Sequence, residues 1–310
     1  VFSNEQTSII LNIKKLSNQN IKNLKIPALN YLFKRVDNKK RADIEFEIEL
    51  EDKTTRWVLG SMNTSKTTGD YILVVHDITQ LRQLNSMRRD FISNLSHELR
   101  TPVSVIRANS ETLLDGALDN KKEAKTFAKA ILHNSERLSV MVADLIDLSR
   151  IEYGDLKLNI KKIDLITFMD DFVTSMKSVT KKKEIEIIFK SNHYDFVKAD
   201  PQALERIMNN LVDNAFKYSE KGSSIEISTI TEHQHVKVMV SDSGIGVSDE
   251  DKDHIFDRFY RTASARASDN KGSGLGLAIV KNLTNSLNGE VGVESKNDSG
   301  SVFWFTIPIN

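Results

Sequence analysis

From Leu81 onward the sequence changes period. Leu81, Leu84, Met87, Phe91, Leu95, Leu99, Val103, Ile106 and Leu113 recur at steps of three and four, with Ser110 filling one step. That spacing predicts one long helix with a narrow apolar stripe. Asp115-Gly116 and Asp119-Asn120 then read as a turn. A second helix is predicted from about Lys121 to Ile151, with Ile131, Leu138, Val142, Leu145 and Leu148 on its stripe. Two long helices joined by a short connection make an antiparallel hairpin. One hairpin buries its own stripe poorly, whereas two hairpins from two chains complete a four-helix bundle. A homodimer is the expectation.

The flanks have other textures. In residues 1–79, Ile9 to Leu16 and Ala28 to Val36 read as weak helices. Ala42–Leu50 alternates Ile44, Phe46, Ile48 and Leu50 with acidic residues, the pattern of a half-buried strand. Thr55–Gly60 and Tyr71–His76 follow as strands around a loop at Asn63–Asp70, which suggests an antiparallel sheet. From Gly154 the text is mixed α/β. Strands are predicted at Lys157–Ile160, Glu184–Lys190, Ser224–Thr231 and His235–Ser241, and a terminal hairpin at Gly289–Ser295 and Ser301–Pro308 across Asn297–Gly300. Asp200-Pro201 is a helix start, with the helix running to about Ser219, and Ala278–Leu287 is another helix, closed by Asn288-Gly289. The chain thus divides into 1–79, 80–153 and 154–310.

Lys+Arg and Asp+Glu are equal at 43 each, which argues against a direct nucleic-acid binder. With no cysteine there is no disulfide, thiol nucleophile or Cys-ligated metal. No stretch approaches the ~18 apolar residues of a membrane span. The chain begins with Val1 rather than Met. It is therefore expected to be a fragment or a processed form; the lack of cysteine fits a reducing cytoplasm, and a membrane would be touched only through an upstream anchor.

Four motifs carry chemistry. The first is Ser96-His97-Glu98-Leu99-Arg100-Thr101-Pro102 on the first long helix. At ~100° per residue His97 lies opposite Leu95 and Leu99 and faces solvent, and Thr101 shares its face. Glu98 is adjacent and able to hydrogen-bond one ring nitrogen, leaving the other nucleophilic. Pro102 cannot donate to the Glu98 carbonyl, so a bend is expected below the histidine. A lone exposed histidine is ordinarily no more than that. The whole heptad, however, resembles the H-E-L-R-T-P phosphoacceptor box of histidine kinases. The resemblance implies that His97 accepts the γ-phosphoryl group of ATP, that Glu98 assists as general base, and that Thr101 orients a water for dephosphorylation of a response regulator.

The second motif runs from Leu204 to Tyr218. Arg206, Asn210, Asn214 and Lys217 fall within ~80° on a helical wheel, with Leu204, Ile207, Met208, Leu211, Val212 and Ala215 opposite. Amide oxygens suit Mg²⁺ and a lysine suits phosphate; a solvated polar face is the plain alternative. The run is similar to the family's N box. By that similarity Asn214 ligates Mg²⁺, Asn210 and Lys217 contact phosphates, and Tyr218 lies beside the adenine.

The third motif, Asp242-Ser243-Gly244-Ile245-Gly246, follows a strand, where glycines let backbone approach a ligand. The fourth, Gly272-Ser273-Gly274-Leu275-Gly276, opens a helix and offers free N–H groups to an anion. Alone, these are a turn and a flexible loop. They resemble the G1 and G2 boxes, which implies that Asp242 reads the adenine amine. Ile255–Arg261 resembles the F box, and Thr262–Lys271 has the small polar text of a lid, with Arg261 a candidate for the phosphates.

The boxes come in the family's order. The implied fold is multidomain α+β: a dimeric helical hairpin followed by an α/β-sandwich ATPase domain of the gyrase, chaperone and mismatch-repair type (GHKL). Asp77-Ile78-Thr79 resembles the end of PAS sensor domains, which makes residues 1–79 a PAS-like remnant. Glu111–Leu118 is similar to the phosphate-starvation sensor subgroup. The implied function is ATP- and Mg²⁺-dependent autophosphorylation of His97, then transfer to an aspartate on a receiver domain, with phosphatase activity toward it. Two rivals remain: a non-kinase ATPase of the same superfamily, and a scaffold that binds ATP without transfer.

Overall fold

The computed structural model describes residues 3–13, 24, 26–39, 41–50, 52–65, 68, 70–152, 156–191, 196–267, 272–296 and 300–309. Parts of several expected features lie outside them: 14–16 of the first helix, 153–155 at the expected boundary, 268–271 of the lid and 297–299 of the last turn. The chain forms two compact units, Val1–Ser93 and Asn94–Asn310.

In the first unit the helices are α1 (Glu5–Ile10) and α2 (Pro27–Lys39), and the strands are β1 (Arg41–Glu49), β2 (Thr55–Thr64) and β3 (Tyr71–Asp77). The sheet is antiparallel in the order β1-β2-β3. Helix α1 begins earlier than its apolar residues suggest because Asn4 caps it, accepting from Thr7 N at 2.9 Å. Strand β2 runs past Gly60 into the expected loop, since Asn63 and Thr64 pair with Ile72 and Tyr71. Leu29, Leu32 and Val36 of α2 pack with Ala42 and Met62.

Helix α3 (Thr79–Leu114) is tied to this sheet at its start. Asp77 Oδ1 accepts from Thr79 N and Oγ1 at 2.9 and 2.6 Å, and Trp57 N donates to Thr79 Oγ1 at 2.9 Å. Arg82 pairs with Glu45 and stacks 4.6 Å from the Trp57 ring.

In the second unit α3 turns through Gly116, at φ 120°, and a single 3-10 turn (Ala117–Asp119) into α4 (Lys121–Glu152). Asn120 caps α4, accepting from Lys122 N at 3.1 Å. Val142 does not lie on the buried side as its spacing suggests; it is 41% exposed. The lower half of α4 buries Met141, Asp144 and Leu148 instead.

The remaining elements form a sandwich. Its sheet is β5 (Glu186–Ser191), β7 (Ser224–Glu232), β8 (His235–Ser241), β10 (Ser301–Pro308) and β9 (Val291–Ser295), adjacent in that order, with β5 parallel to β7. Val236, Val238 and Val240 alternate inward from β8, and Phe303, Phe305 and Ile307 from β10. They meet α5 (Leu165–Ser175), α7 (Pro201–Tyr218) and α9 (Gly276–Ser286) in one core, and α4 packs on α9. A two-stranded ribbon joins β4 (Lys161–Asp164) to β6 (Phe196–Ala199).

Lys157–Ile160 is not a strand. Asn159 N donates to Asp200 Oδ2 at 2.6 Å rather than to a ladder, and pairing starts at Lys161. Helix α5 follows the N-cap Asp164, which accepts from Ile166 N and Thr167 N. The short helix α6 (Lys177–Lys183) ends at Glu184, whose φ of 57° delays the next strand to Glu186. Strand β9 starts at Val291, after Gly289 N has closed on the Thr284 carbonyl at 2.9 Å.

Candidate nucleotide site and phosphoacceptor histidine

Helix α7 organises the site. Asp200 caps it, accepting from Gln202 N and Ala203 N at 2.8 and 3.1 Å, and Pro201 takes the first turn. The residues predicted to be apolar, Leu204, Ile207, Met208, Leu211, Val212 and Ala215, are all buried. The opposite face therefore points Asn210, Asn214 and Lys217 into a cavity of about 530 Å³. Tyr218, Asp242, Gly246, Arg261, Gly272, Gly274 and Gly276 line the same cavity.

Asp242 directly follows β8 and is 4% exposed. Its Oδ1 accepts from Gly244 N at 2.8 Å and Ser301 N at 3.2 Å. Burial raises its pKa above the ordinary carboxylate value, while those two N–H groups and Lys296 act against the rise.

The glycines are there for close approach. A Cβ on Gly244 would lie 2.6 Å from the Tyr218 carbonyl oxygen. On Gly276 it would lie 2.7 Å from Asn210 Oδ1, so Asn210 sits directly against the start of α9. Gly274 holds φ 69°, and its carbonyl accepts from Phe259 N at 2.9 Å, which joins the F-box segment to the Gly loop.

Two expected ligand residues do not line the cavity. Gly244 is packed under Tyr218, and the Leu275 side chain is wholly buried, leaving only its backbone at the N-terminus of α9. Lys217 is paired with Asp213 at 2.5 Å, and Arg261 donates to the Ala265 carbonyl in α8 (Ala263–Ala267).

On α3, His97 is exposed and Thr101 Oγ1 reaches the His97 carbonyl at 3.3 Å, so the two share a face. Pro102 is buried inside the helix. Glu98 is paired with Arg137 of α4 at 3.3 Å rather than turned along its own helix to the imidazole.

The sequence reading overlooked a wall of the cavity. Arg137, Val140, Met141 and Asp144, all on α4, line it. Their signal was an arginine and an aspartate seven residues apart on the stripe side of a bundle helix, where apolar residues belong. Arg206, on the polar face of α7, has no role among the expected contacts.

The donor set fits a magnesium nucleotide. Two amide oxygens, a lysine, an arginine, a buried carboxylate and glycine backbone converge on one cavity. Among the described residues no group of three His, Cys, Asp or Glu gathers to cage a metal. Mg²⁺ binds through a few protein oxygens together with phosphates and water, and Asn214 offers one such oxygen.

Comparison with known proteins agrees with this geometry. Residues 87–154 match the His Kinase A (phospho-acceptor) domain, and residues 199–310 match the histidine kinase-, DNA gyrase B- and HSP90-like ATPase family. The sensor-like histidine kinase SenX3 of Mycobacterium tuberculosis is 35% identical over 237 residues, covering 76% of this chain and 58% of SenX3. The structure of Acinetobacter baumannii histidine kinase AdeS aligns with a TM-score of 0.58 at 26% identity, covering 69% of this chain and 98% of that one. Histidine kinase ThkA, in complex with the response regulator protein TrrA, shares the fold at a TM-score of 0.61 and 21% identity, over 99% of this chain and 91% of that one. The chain belongs to the sensor histidine kinases of two-component systems. It spans a little over half the length of the SenX3 relatives it matches.

Proposed function

We propose that the protein is an ATP-dependent histidine kinase that phosphorylates its own His97 and passes the phosphoryl group to an aspartate on a response regulator. The observation that carries this reading is the convergence of the α7 amide face, buried Asp242 and the glycine-opened α9 on one cavity, in a chain whose hairpin exposes His97.

Bound Mg-ATP supplies the transferable phosphoryl group and neutralises part of its charge. The chain supplies position and electrostatics. Asp242 is held as an acceptor by two backbone N–H groups, ready for an exocyclic amine. Asn214 offers an amide oxygen to Mg²⁺, and Asn210 and Lys217 serve the phosphates once Lys217 exchanges Asp213 for them. The N–H groups at Gly274 and Gly276 favour an anion at the start of α9. Arg261 joins the phosphates on leaving the Ala265 carbonyl. His97 attacks from the solvent side of α3, and Glu98, on leaving Arg137, takes the imidazole proton. Thr101, on the same face, orients a water that hydrolyses the regulator's phosphoaspartate, the phosphatase activity.

The assembly proposed is a homodimer, which two copies of the hairpin would close as a bundle. Val103, Leu132 and Ile146 are more than 45% exposed in one chain and support it. Residues 1–79 act as a PAS-like input segment, 80–153 as the dimerisation and phosphotransfer hairpin, and 154–310 as the ATP-binding domain. ThkA and its regulator supply the analogy for the receiver partner. Among the described residues no helix is long and apolar enough to cross a membrane. A cytoplasmic site of action, with an anchor carried elsewhere in a longer polypeptide, is the localisation proposed.

Titration with a fluorescent adenine nucleotide tests the core of this reading. The wild-type chain should bind it, and Asp242→Asn should bind at least about tenfold more weakly. Equal binding by both would remove Asp242 from the site.

A further inference from the structure

Arg206 is the member of the α7 polar face that the nucleotide reading leaves without a task. It lines the same cavity as Asn210, Asn214 and Lys217. Its guanidinium is turned toward α4, where Nη2 donates to the Asp144 carboxylate and lies 3.4 Å from Asp147 Oδ2. Asp144 is 7% exposed and forms part of the cavity wall. Burial pushes its carboxyl up from the ordinary value, with Arg206 acting against the rise and Asp147 adding to it.

The contact is incomplete. Arg206 Nε is buried and has no hydrogen-bond partner among the described residues. A guanidinium carries five N–H donors in a rigid fork, and a buried donor left unmet is costly. A phosphate group meets that fork with two parallel bonds. Asp144, in turn, holds a buried charge that needs a partner. One guanidinium thus stands between two anionic claims, one built into the hairpin and one brought by a ligand.

We propose that Arg206 is a further phosphate-binding residue, for which the nucleotide's phosphates and the α4 carboxylates Asp144 and Asp147 compete. The proposal rests on the nucleotide reading of the cavity. Its consequence is mechanical. In the absence of nucleotide the Arg206–Asp144 pair holds α7 against the hairpin. Nucleotide draws the guanidinium away and loosens that hold, so occupancy of the cavity and release from α4 are one event. The phosphates are the part of the ligand that does this.

The test is a set of four dissociation constants for Mg-ATP, read by displacement of a fluorescent nucleotide from the full 310-residue chain. Asp144→Asn should tighten binding several-fold. Arg206→Gln should weaken it by about tenfold, the worth of a charge-assisted hydrogen bond. In the Arg206→Gln background, Asp144→Asn should change nothing. That double variant decides the matter: a general charge effect at the cavity wall survives loss of Arg206, whereas competition for Arg206 does not. Tightening by Asp144→Asn with and without Arg206, or unchanged affinity in Arg206→Gln, overturns the proposal. Arg206→Lys, which keeps the charge and loses the fork, should fall between wild type and Arg206→Gln, and it serves if the Gln variant does not fold. A wild-type chain with no adenine-nucleotide affinity would instead refute the reading of the cavity, a result distinct from all of these.

Discussion

The Glu98 carboxylate lies 3.3 Å from Nη2 of Arg137, across the hairpin from its own helix. The two side chains are 31% and 16% exposed, so the pair is partly shielded, and Arg137 also lines the nucleotide cavity. The residue beside His97 is therefore anchored to the helix that forms one wall of the cavity. Glu98→Gln should slow phosphohistidine formation by on the order of a hundredfold or more, the usual worth of a positioned base. Arg137→Met, which frees the Glu98 carboxylate for the imidazole, should quicken it. The double variant should be no faster than Glu98→Gln alone, because the two act as a unit. Initial rates of label incorporation give all three, and multiplicative effects would show that the pair is not coupled.

Glycine substitutions separate binding from folding. Gly276→Ala puts a methyl group 2.7 Å from Asn210 Oδ1, and its backbone needs no positive φ. Nucleotide affinity should fall about tenfold with the melting temperature nearly unchanged. Gly274→Ala must hold φ 69° and meets Phe259 backbone at 2.8 Å, so it should lose about 1–3 kcal/mol of stability as well. Gly272→Ala, with no described neighbour within 4 Å, should be silent in both measurements.

The contrast among these glycines shows what the sequence could and could not disclose. Helix α7 was readable to within a residue, because Asp200-Pro201 caps it and its apolar side is continuous. Strand β8 and strand β10 were readable because they alternate strictly. Helix α5 was not foreseen, although Asp164 caps it, because its text (LITFMDDFVTS) is short and carries β-branched residues. Strand β6 has four residues, too few for a period. The motifs that single out His97, Asn214 and Asp242 are local, and the fold brings Asn214 and Asp242 to one cavity. The α4 wall was not legible, since Arg137 and Asp144 reach the cavity only through tertiary packing.

Asp242 gives a prediction in pH. Its carboxyl is raised by burial, so the folded state holds that proton more tightly than the unfolded state does. The associated stability is present below the ordinary carboxylate pKa and is lost as pH rises through the elevated value. At neutral pH the buried charge is therefore a cost. Asp242→Asn keeps an acceptor for Gly244 N and Ser301 N. It should melt higher than wild type at pH 7, with the gain shrinking as pH falls through the elevated value and gone below about 4. A gain that grows on acidification would contradict this.

The exposed apolar residues of the hairpin predict the oligomeric state. Val103 is 52% and Ile146 48% exposed in the single chain. Burying such side chains is worth about 1.5–3 kcal/mol each. Wild type should run as a dimer in light scattering, and Val103→Glu with Ile146→Glu should run as a monomer that still binds nucleotide.

The central claim is that His97 receives phosphate from ATP bound on the same kind of chain. Incubation with γ-labelled Mg-ATP, followed by mapping of the acid-labile, base-stable label, tests it most directly. Label on His97 alone, absent from His97→Gln although that variant still binds nucleotide, is the predicted result. Label on another side chain, or none on a chain that binds ATP, would contradict the account.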